Sequence, residues 1–389
     1  MSSGSSAHTP GDAAFEAAKA LFLDGLAALQ GGRLAAAEAA FLGSLERMPG
    51  RVSTLVNLAA TRLALRRPAD ALVNADAVLA LEPANLDALF HRGSALAELG
   101  RHGPALEAFR AVCRLDPQRA EAWSHAGAVL RETGRLAEAA QAFEQAIAHG
   151  ADPQLHRYYL ASVRGADAAA SPSLFPSSAP AHYVQALFDA YADEFDAHLV
   201  EVLGYSAHTT LVEHLPFPAA GRFASGLDLG CGTGLCGTLL ADRVGRLTGV
   251  DLSAGMLARA AATGRYAQLL QTDLVDHLRS TEEHHDLVLA ADVFIYVGDL
   301  APVFEAVARV IAPGGMFCFS VEAASREPLD FELLPSLRYA HSQRYVAALA
   351  ARHGFATVRQ VDAPIREEQR VPIAGRYVYL RRGASTPQD

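Results

Sequence analysis

A step of 34 residues runs through the first half of this chain and constrains what that half can fold into. Gly32-Arg33, Arg66-Arg67, Gly100-Arg101 and Gly134-Arg135 keep this step, as do Pro49, Pro83 and Pro117. Ala37, Ala71, Ala105 and Ala139 follow it, and so do Phe41, Phe109 and Phe143, with Ala75 the exception. Trp123 and Gly127 add a W-x-x-x-G spacing, and Gly25 and Gly93 hold the position of Gly127. Self-similarity at such a period means stacked supersecondary units, none of which can bury its apolar face alone. Small residues let two helices of a hairpin approach closely, and the aromatic fills the space towards the next hairpin. Proline ends the second helix of each unit because it cannot continue it.

This period with these residues resembles the tetratricopeptide repeat. Four units fit between about residues 14 and 153, a capping helix is expected over 154–164, and residues 1–13 are expected to be disordered. The resemblance implies a concave groove that binds a protein partner or carrier; docking within the chain or self-association is the alternative. Lys19 is the only lysine. The groove type that clamps a C-terminal carboxylate relies on lysines, so that ligand is not expected.

The second half is organised by Leu227-Asp228-Leu229-Gly230-Cys231-Gly232-Thr233-Gly234-Leu235. A short apolar run breaks into alternating glycines and resumes as a helix-like segment, so a strand feeds a tight turn and then a helix. Glycine lets backbone approach a ligand closely, and a helix start offers unpaired N–H groups to it. Two readings fit. Gly232 to Gly237 satisfies G-x-G-x-x-G, the dinucleotide pattern. Asp228, two residues before Gly230, makes D-x-G-x-G-x-G instead.

Strand and helix patterns then alternate, which predicts a parallel sheet with helices on both faces. Strands are expected at 247–251, 267–270, 287–292 running into Val293 to Val297, and 316–321. Asp251 closes the second strand about twenty residues past the turn, where a carboxylate meets ribose hydroxyls in dinucleotide folds. Asp273 follows the third strand and Asp292 ends the fourth. Strands at 356–361 and 377–380, joined by a polar loop, predict a closing antiparallel hairpin.

The acid-glycine turn, the spaced acids, Leu252-Ser253-Ala254-Gly255-Met256, the turn Ala312-Pro313-Gly314-Gly315 and the closing hairpin resemble class I S-adenosylmethionine-dependent methyltransferases. The fold class expected for the whole chain is an all-α tetratricopeptide solenoid followed by a Rossmann-like α/β methyltransferase domain over 182–383. Residues 165–181, rich in Ala, Ser and Pro, are read as a linker, and 384–389 as a disordered tail. The run Tyr183 to Leu199 resembles a bacterial group of tetratricopeptide-containing methyltransferases. Its apolar stripe, Val184, Leu187, Phe188, Tyr191, Phe195 and Leu199, predicts an amphipathic helix over 182–203.

The resemblance implies S-adenosyl-L-methionine as cofactor. Asp228 would face its amino group, Asp251 its ribose and Asp273 its adenine, on which Met256 packs. Gly230, Cys231, Gly232, Gly234, Leu252, Leu274, Asp292 and the aromatics Tyr183 and Tyr191 complete the implied cofactor site. Acceptor-side candidates are Asp292, Tyr296, Glu322 and His341, with His341 in the polar-aromatic segment Leu337 to Ser342. Asp292, Tyr296 and His341 are the candidate catalytic residues. An NAD(P)-dependent oxidoreductase and a non-catalytic cofactor-binding scaffold stand as alternatives.

Composition narrows the rest. The net charge of −10 without a basic run argues against nucleic-acid binding. No apolar run approaches the ~18 residues of a membrane helix, and residues 1–10 lack the parts of a signal peptide, so a cytoplasmic protein is expected. Cys113, Cys231, Cys236 and Cys318 form no C-x-x-C and no cluster with metal-ligand spacing, so buried thiols and no metal are expected.

Overall fold

A computed structural model describes residues 10–165, 175–191, 204–219, 221–324, 329–368 and 371–383. Two compact units emerge, residues 1–156 and 157–389. The expectations for residues 1–9 and 384–389, and for the helix beyond Tyr191, lie outside the described residues.

The first unit is a succession of helical hairpins: α1 (Pro10–Gln30), α2 (Leu34–Arg47), α3 (Val52–Ala64), α4 (Pro68–Leu81), α5 (Leu86–Glu98), α6 (His102–Leu115), α7 (Ala120–Glu132) and α8 (Leu136–Ala148). The unit boundary falls inside α9 (Pro153–Arg164). The periodic glycines have a packing cause. A Cβ on Gly25, Gly93 or Gly127 would stand 2.5, 2.7 or 2.6 Å from the ring of Phe41, Phe109 or Phe143, sixteen residues on. In the second repeat the pair becomes Ala59 and Ala75, both fully buried, so the gain of a methyl on one helix matches the loss of a ring on the other. The hairpin turns need a left-handed residue: Gly32, Gly100 and Gly134 take φ of 70°, 71° and 74°, and Arg66 takes 58° without being glycine. Such a conformation crowds the β-carbon of an L-residue.

The second unit adds α10 (Ala181–Tyr191) and α11 (Ala207–Glu213), then a nine-stranded sheet. Its strands are β1 (Phe223–Leu229), β2 (Val244–Asp251), β3 (Gln268–Gln271), β4 (His285–Ala290), β5 (Ile311–Ala323), β6 (Phe331–Leu333), β7 (Tyr339–His341), β8 (Phe355–Glu368) and β9 (Val371–Arg382). Between them run α12 (Leu235–Leu240), α13 (Ala254–Ala262), α14 (Leu274–Ser280), α15 (Ala301–Val310) and α16 (Gln343–Arg352). Strands β3, β2, β1, β4 and β5 are parallel in that order; β9 joins β5 antiparallel and β8 joins β9. Register sets Asp228 beside Gly249 and Leu289, so the carboxyl ends of β1, β2 and β4 open on one edge. Phe294, Phe304, Phe317, Phe319 and Phe355 fill one face of the sheet, and α11 and α12 cover the other.

Five expectations change. The fourth strand stops at Ala290: Asp292 turns the chain at a φ of 57°, and Phe294–Tyr296 forms a 3₁₀ turn. The Pro313-Gly314-Gly315 turn is a bulge inside β5, between the pairs His285–Ile311 and Leu287–Met316. The polar loop of the closing hairpin is strand almost throughout. Residues 337–342, assigned to no element from the sequence, contain β7, which pairs parallel with Glu322 and Ala323 of β5 once β4 has ended. The end of the expected linker also belongs to the fold. Ser178 bridges Val297, the Ala179 amide donates to Tyr296 O, and the Tyr339 hydroxyl donates to Pro176 O.

Candidate active site

A cavity of about 330 Å³ opens at the carboxyl edge of the parallel strands. At one end Asp228, Asp251 and Asp273 line it around the glycine turn, together with Gly230, Cys231 and Gly232. The turn exists because Gly230 and Gly232 take φ of 64° and 54°, and a Cβ on Gly232 would meet nothing within 4 Å. That side of the turn is open space for a ligand. Asp251 accepts from the Ser253 amide on Oδ1 and the Gly232 amide on Oδ2, both at 2.9 Å. Each oxygen keeps a second lone pair, so ribose-type hydroxyls can still be received. Burial raises the Asp251 pKa, against the pull of these amides. Asp273 caps α14, accepting from Val275 and Asp276 through Oδ1.

Asp228 is 1% exposed. Burial lifts its pKa to about 7, opposed by a 2.7 Å hydrogen bond donated by the Tyr266 hydroxyl. The third glycine of the apparent dinucleotide pattern is explained here: a Cβ on Gly237 would stand 2.6 Å from the Tyr266 ring. Cys231 and Cys236 are buried beside the turn, and burial pushes both thiols up.

Apolar side chains of α10 close the cavity: Val184, Leu187 and Phe188 line it. The helix is tied to the β2–α13 turn because Ser253 Oγ donates to Asp189. Phe188 meets Tyr296 edge-on with ring centres 5.6 Å apart.

The opposite end is built from charges. Asp292, Tyr296, Tyr205, His208, Arg338 and Arg366 line it. Arg366, on β8, has a side chain only 2% exposed. It reaches Asp292 at 3.3 and 3.4 Å, Glu368 at 3.0 Å, and Glu322. Arg338, on the β6–β7 turn, pairs with Glu368 as well. That turn is held by a 2.5 Å hydrogen bond from the Tyr158 hydroxyl to Leu337 O. Burial raises the Asp292 pKa to about 6, with Arg366 and Arg338 pulling down. The Tyr296 hydroxyl is pushed up to about 12 by burial.

The cavity thus gathers Asp228, Gly230, Cys231, Gly232, Asp251, Leu252, Asp273, Leu274, Asp292 and Tyr296 from the sequence reading. His341 is a correction. It is fully buried, bonds Val297 O and Gly298 O through Nε2, stacks on Tyr345 and does not line the cavity. Burial lowers its pKa to about 4, so it is a neutral core histidine. Met256, also fully buried, and Gly234, which caps α12 at a φ of 92°, do not line the cavity either. Glu322 stands behind the wall, on Arg366. Tyr183 packs on Tyr158 and Tyr159 instead of lining the cavity. The side chain of Tyr191 lies outside the described residues.

Sequence reasoning missed Arg366, Arg338, Tyr205, His208 and Tyr266. For Arg366 a signal was present: Val361, Ala363 and Ile365 alternate, which extends the strand into the supposed loop. Arg338 stands in the segment 337–342 that the sequence reading set on the acceptor side, although His341 was singled out there instead; Tyr266 had no signal, because only folding brings it beneath the turn.

A family model described as "Methyltransferase domain" matches residues 227–319. One described as "Tetratricopeptide repeat" matches residues 56–120 and 105–156. A ubiquinone biosynthesis O-methyltransferase of Hydrogenovibrio crunogenus is 33% identical over 100 residues, 24% of this chain and 41% of that protein. The chain therefore spans less than half the length of the curated relatives it matches. Among solved structures, the N-methyltransferase NodS of Bradyrhizobium japonicum, in complex with S-adenosyl-L-homocysteine, is similar at 21% identity and a TM-score of 0.39, over 52% of this chain and 96% of that one. The MamA protein is similar at 21% identity and a TM-score of 0.36, over 38% and 81%. No described helix is long and apolar enough to cross a membrane. The chain joins a tetratricopeptide-repeat region to a class I methyltransferase domain.

Proposed function

We propose that the second unit binds S-adenosyl-L-methionine at the acidic end of the cavity and transfers its methyl group to an acceptor at the arginine end. One observation carries the reading: Asp228, Asp251 and Asp273 converge from three successive strand tips on a glycine turn with open space beside it. Such a set suits a cation that also carries hydroxyls. It suits a pyrophosphate poorly, since the amides of Cys231, Gly232 and Gly234 are already donated to Val250 O, Asp251 and Cys231 O. That argues against the oxidoreductase alternative.

When bound, the cofactor supplies a methyl group already activated by its sulfonium. The residues of this chain bind, align and exclude water. Asp228 would take the amino group, Asp251 the ribose hydroxyls, and Asp273 with Leu252 and Leu274 the adenine. Val184, Leu187 and Phe188 would shield the reacting atoms, and alignment of this kind lowers barriers substantially. Asp292 is the proposed acceptor-side group. Ionised at neutral pH, it can accept a proton or hydrogen bond from an attacking hydroxyl or amine. Asp292, Glu322 and Glu368 outnumber Arg338 and Arg366 by one negative charge, which favours a neutral or cationic acceptor over a carboxylate. The repeat region is proposed to present that acceptor on a protein or carrier.

Calorimetric titration of the full chain with S-adenosylhomocysteine tests the cofactor reading; no heat at about millimolar ligand would refute it. Incubation with cofactor carrying a labelled methyl group and a fractionated lysate tests transfer. Ligand binding with label in no fraction would leave the scaffold reading standing.

A further inference from the structure

Tyr266 lies between α13 and β3, beneath the glycine turn and outside the cavity lining. Its ring fills a slot that exists only because three neighbours lack a side chain. A Cβ on Gly237, Gly249 or Gly234 would come within 2.6, 2.9 or 3.1 Å of that ring. At the end of the slot the hydroxyl donates to Asp228 Oδ2 at 2.7 Å, and of the two residues only Asp228 lines the cavity. The titratable groups facing Asp228 are Tyr266, Asp251 on β2, and the thiols of Cys231 and Cys236. Each is neutral or negative, so the only support for a charge on Asp228 among these groups is the tyrosine hydroxyl.

We propose that Tyr266 is a positioning residue of the cofactor site: it aims Asp228 at the cavity and sustains its charge, so that capture of a cationic ligand there releases a proton. The inference rests on the proposed cofactor reading. The balance is simple. A protonated Asp228 and a ligand ammonium become a carboxylate–ammonium pair, and the displaced proton passes to the buffer. Burial holds Asp228 half-protonated near neutrality in the free protein. Binding should therefore strengthen as pH rises through about 7.

The test is calorimetric titration of the full chain with S-adenosylhomocysteine, in buffers of different ionisation enthalpy, at about pH 6, 7 and 8. The parent should release close to one proton per ligand at the acidic end and little at the alkaline end, with affinity rising about tenfold between them. Tyr266→Phe keeps the ring in its slot and removes the donor. Its affinity should fall about fivefold at neutral pH, approach a tenfold loss at the acidic end and recover as pH rises, the curve moving up by about one unit. Asp228→Asn should lose the proton release. At about pH 6 the ligand's amino group is already protonated before it binds, so the proton release read there comes from the protein.

A parent that binds without proton release overturns the inference and leaves the cofactor reading intact. A Tyr266→Phe loss that is the same at every pH also overturns it, since a merely structural tyrosine would act that way. A parent that binds nothing overturns the cofactor reading instead. If circular dichroism finds Tyr266→Phe unfolded, the proton count in Asp228→Asn against the parent decides alone.

Discussion

Replacing Arg366 by methionine keeps the bulk of the side chain and removes its charge from the arginine end of the cavity. Glu322 and Asp292 have side chains 4% and 12% exposed, so the change leaves two buried carboxylates without their shared cation. Breaking a buried ion pair from one side costs about 3–5 kcal/mol, a large share of the ~5–15 kcal/mol that holds a domain together. The pH dependence fixes the cause. In the parent, Asp292 already titrates at about 6, raised from the usual carboxylate range by burial. Without Arg366 its folded pKa rises further, while its unfolded value stays near ~4. Between the two values the native state binds protons that the unfolded state does not. Stability of the variant therefore recovers as pH falls, by about 1.4 kcal/mol per pH unit for each proton. The gap to the parent should be widest at about pH 8 and should narrow by up to about 3 kcal/mol at about pH 6. Urea unfolding followed by far-ultraviolet circular dichroism is the assay, because the only tryptophan, Trp123, belongs to the repeat unit. A gap that is independent of pH, or that widens on acidification, would refute the ionic account of Arg366.

Gly127→Ala should destabilise the repeat unit by about 1–3 kcal/mol through overpacking on Phe143. In a Phe143→Ala background the same change should become neutral or stabilising, as Ala59 and Ala75 already suggest; thermal melts of the four proteins check the change of sign. Arg66→Gly should stabilise by about 1 kcal/mol, because it relieves a left-handed φ of 58° at a position where the other repeats carry glycine; the midpoint of chemical unfolding reports it. Asp251→Ala should weaken S-adenosylhomocysteine at least about tenfold in calorimetry, since a charged acceptor for hydroxyls and the Gly232 amide is lost together. Unchanged affinity would mean that the ligand sits elsewhere.

The repeat region was legible because its signals are local and recur. A glycine at 25, 93 or 127 and a phenylalanine sixteen residues later report one contact three times over. The parallel strands were legible for a related reason: short apolar runs ending in acids mark strand tips, and parallel order follows from the intervening helices. Asp228, Asp251, Asp273 and Asp292 each stand at such a tip, so their convergence could be anticipated from spacing. His341 illustrates the opposite case. Its surroundings looked polar and loop-like, yet β7 takes the edge of β5 that β4 leaves vacant, and this buries the imidazole against two carbonyls.

What sequence alone determined is thus the repeat helices, the order of the parallel strands with their closing hairpin, and the acidic, glycine-rich end of the cavity, because propensity, periodicity and strand-end chemistry act over a few residues. Tertiary structure alone decided the arginine end and the support beneath the turn. Arg366 meets Asp292 across 74 residues and Tyr266 meets Asp228 across 38. Nothing within one segment records the other. A buried charge or hydroxyl is acceptable only where the assembled fold brings a partner to it, and that pairing is a property of three-dimensional packing.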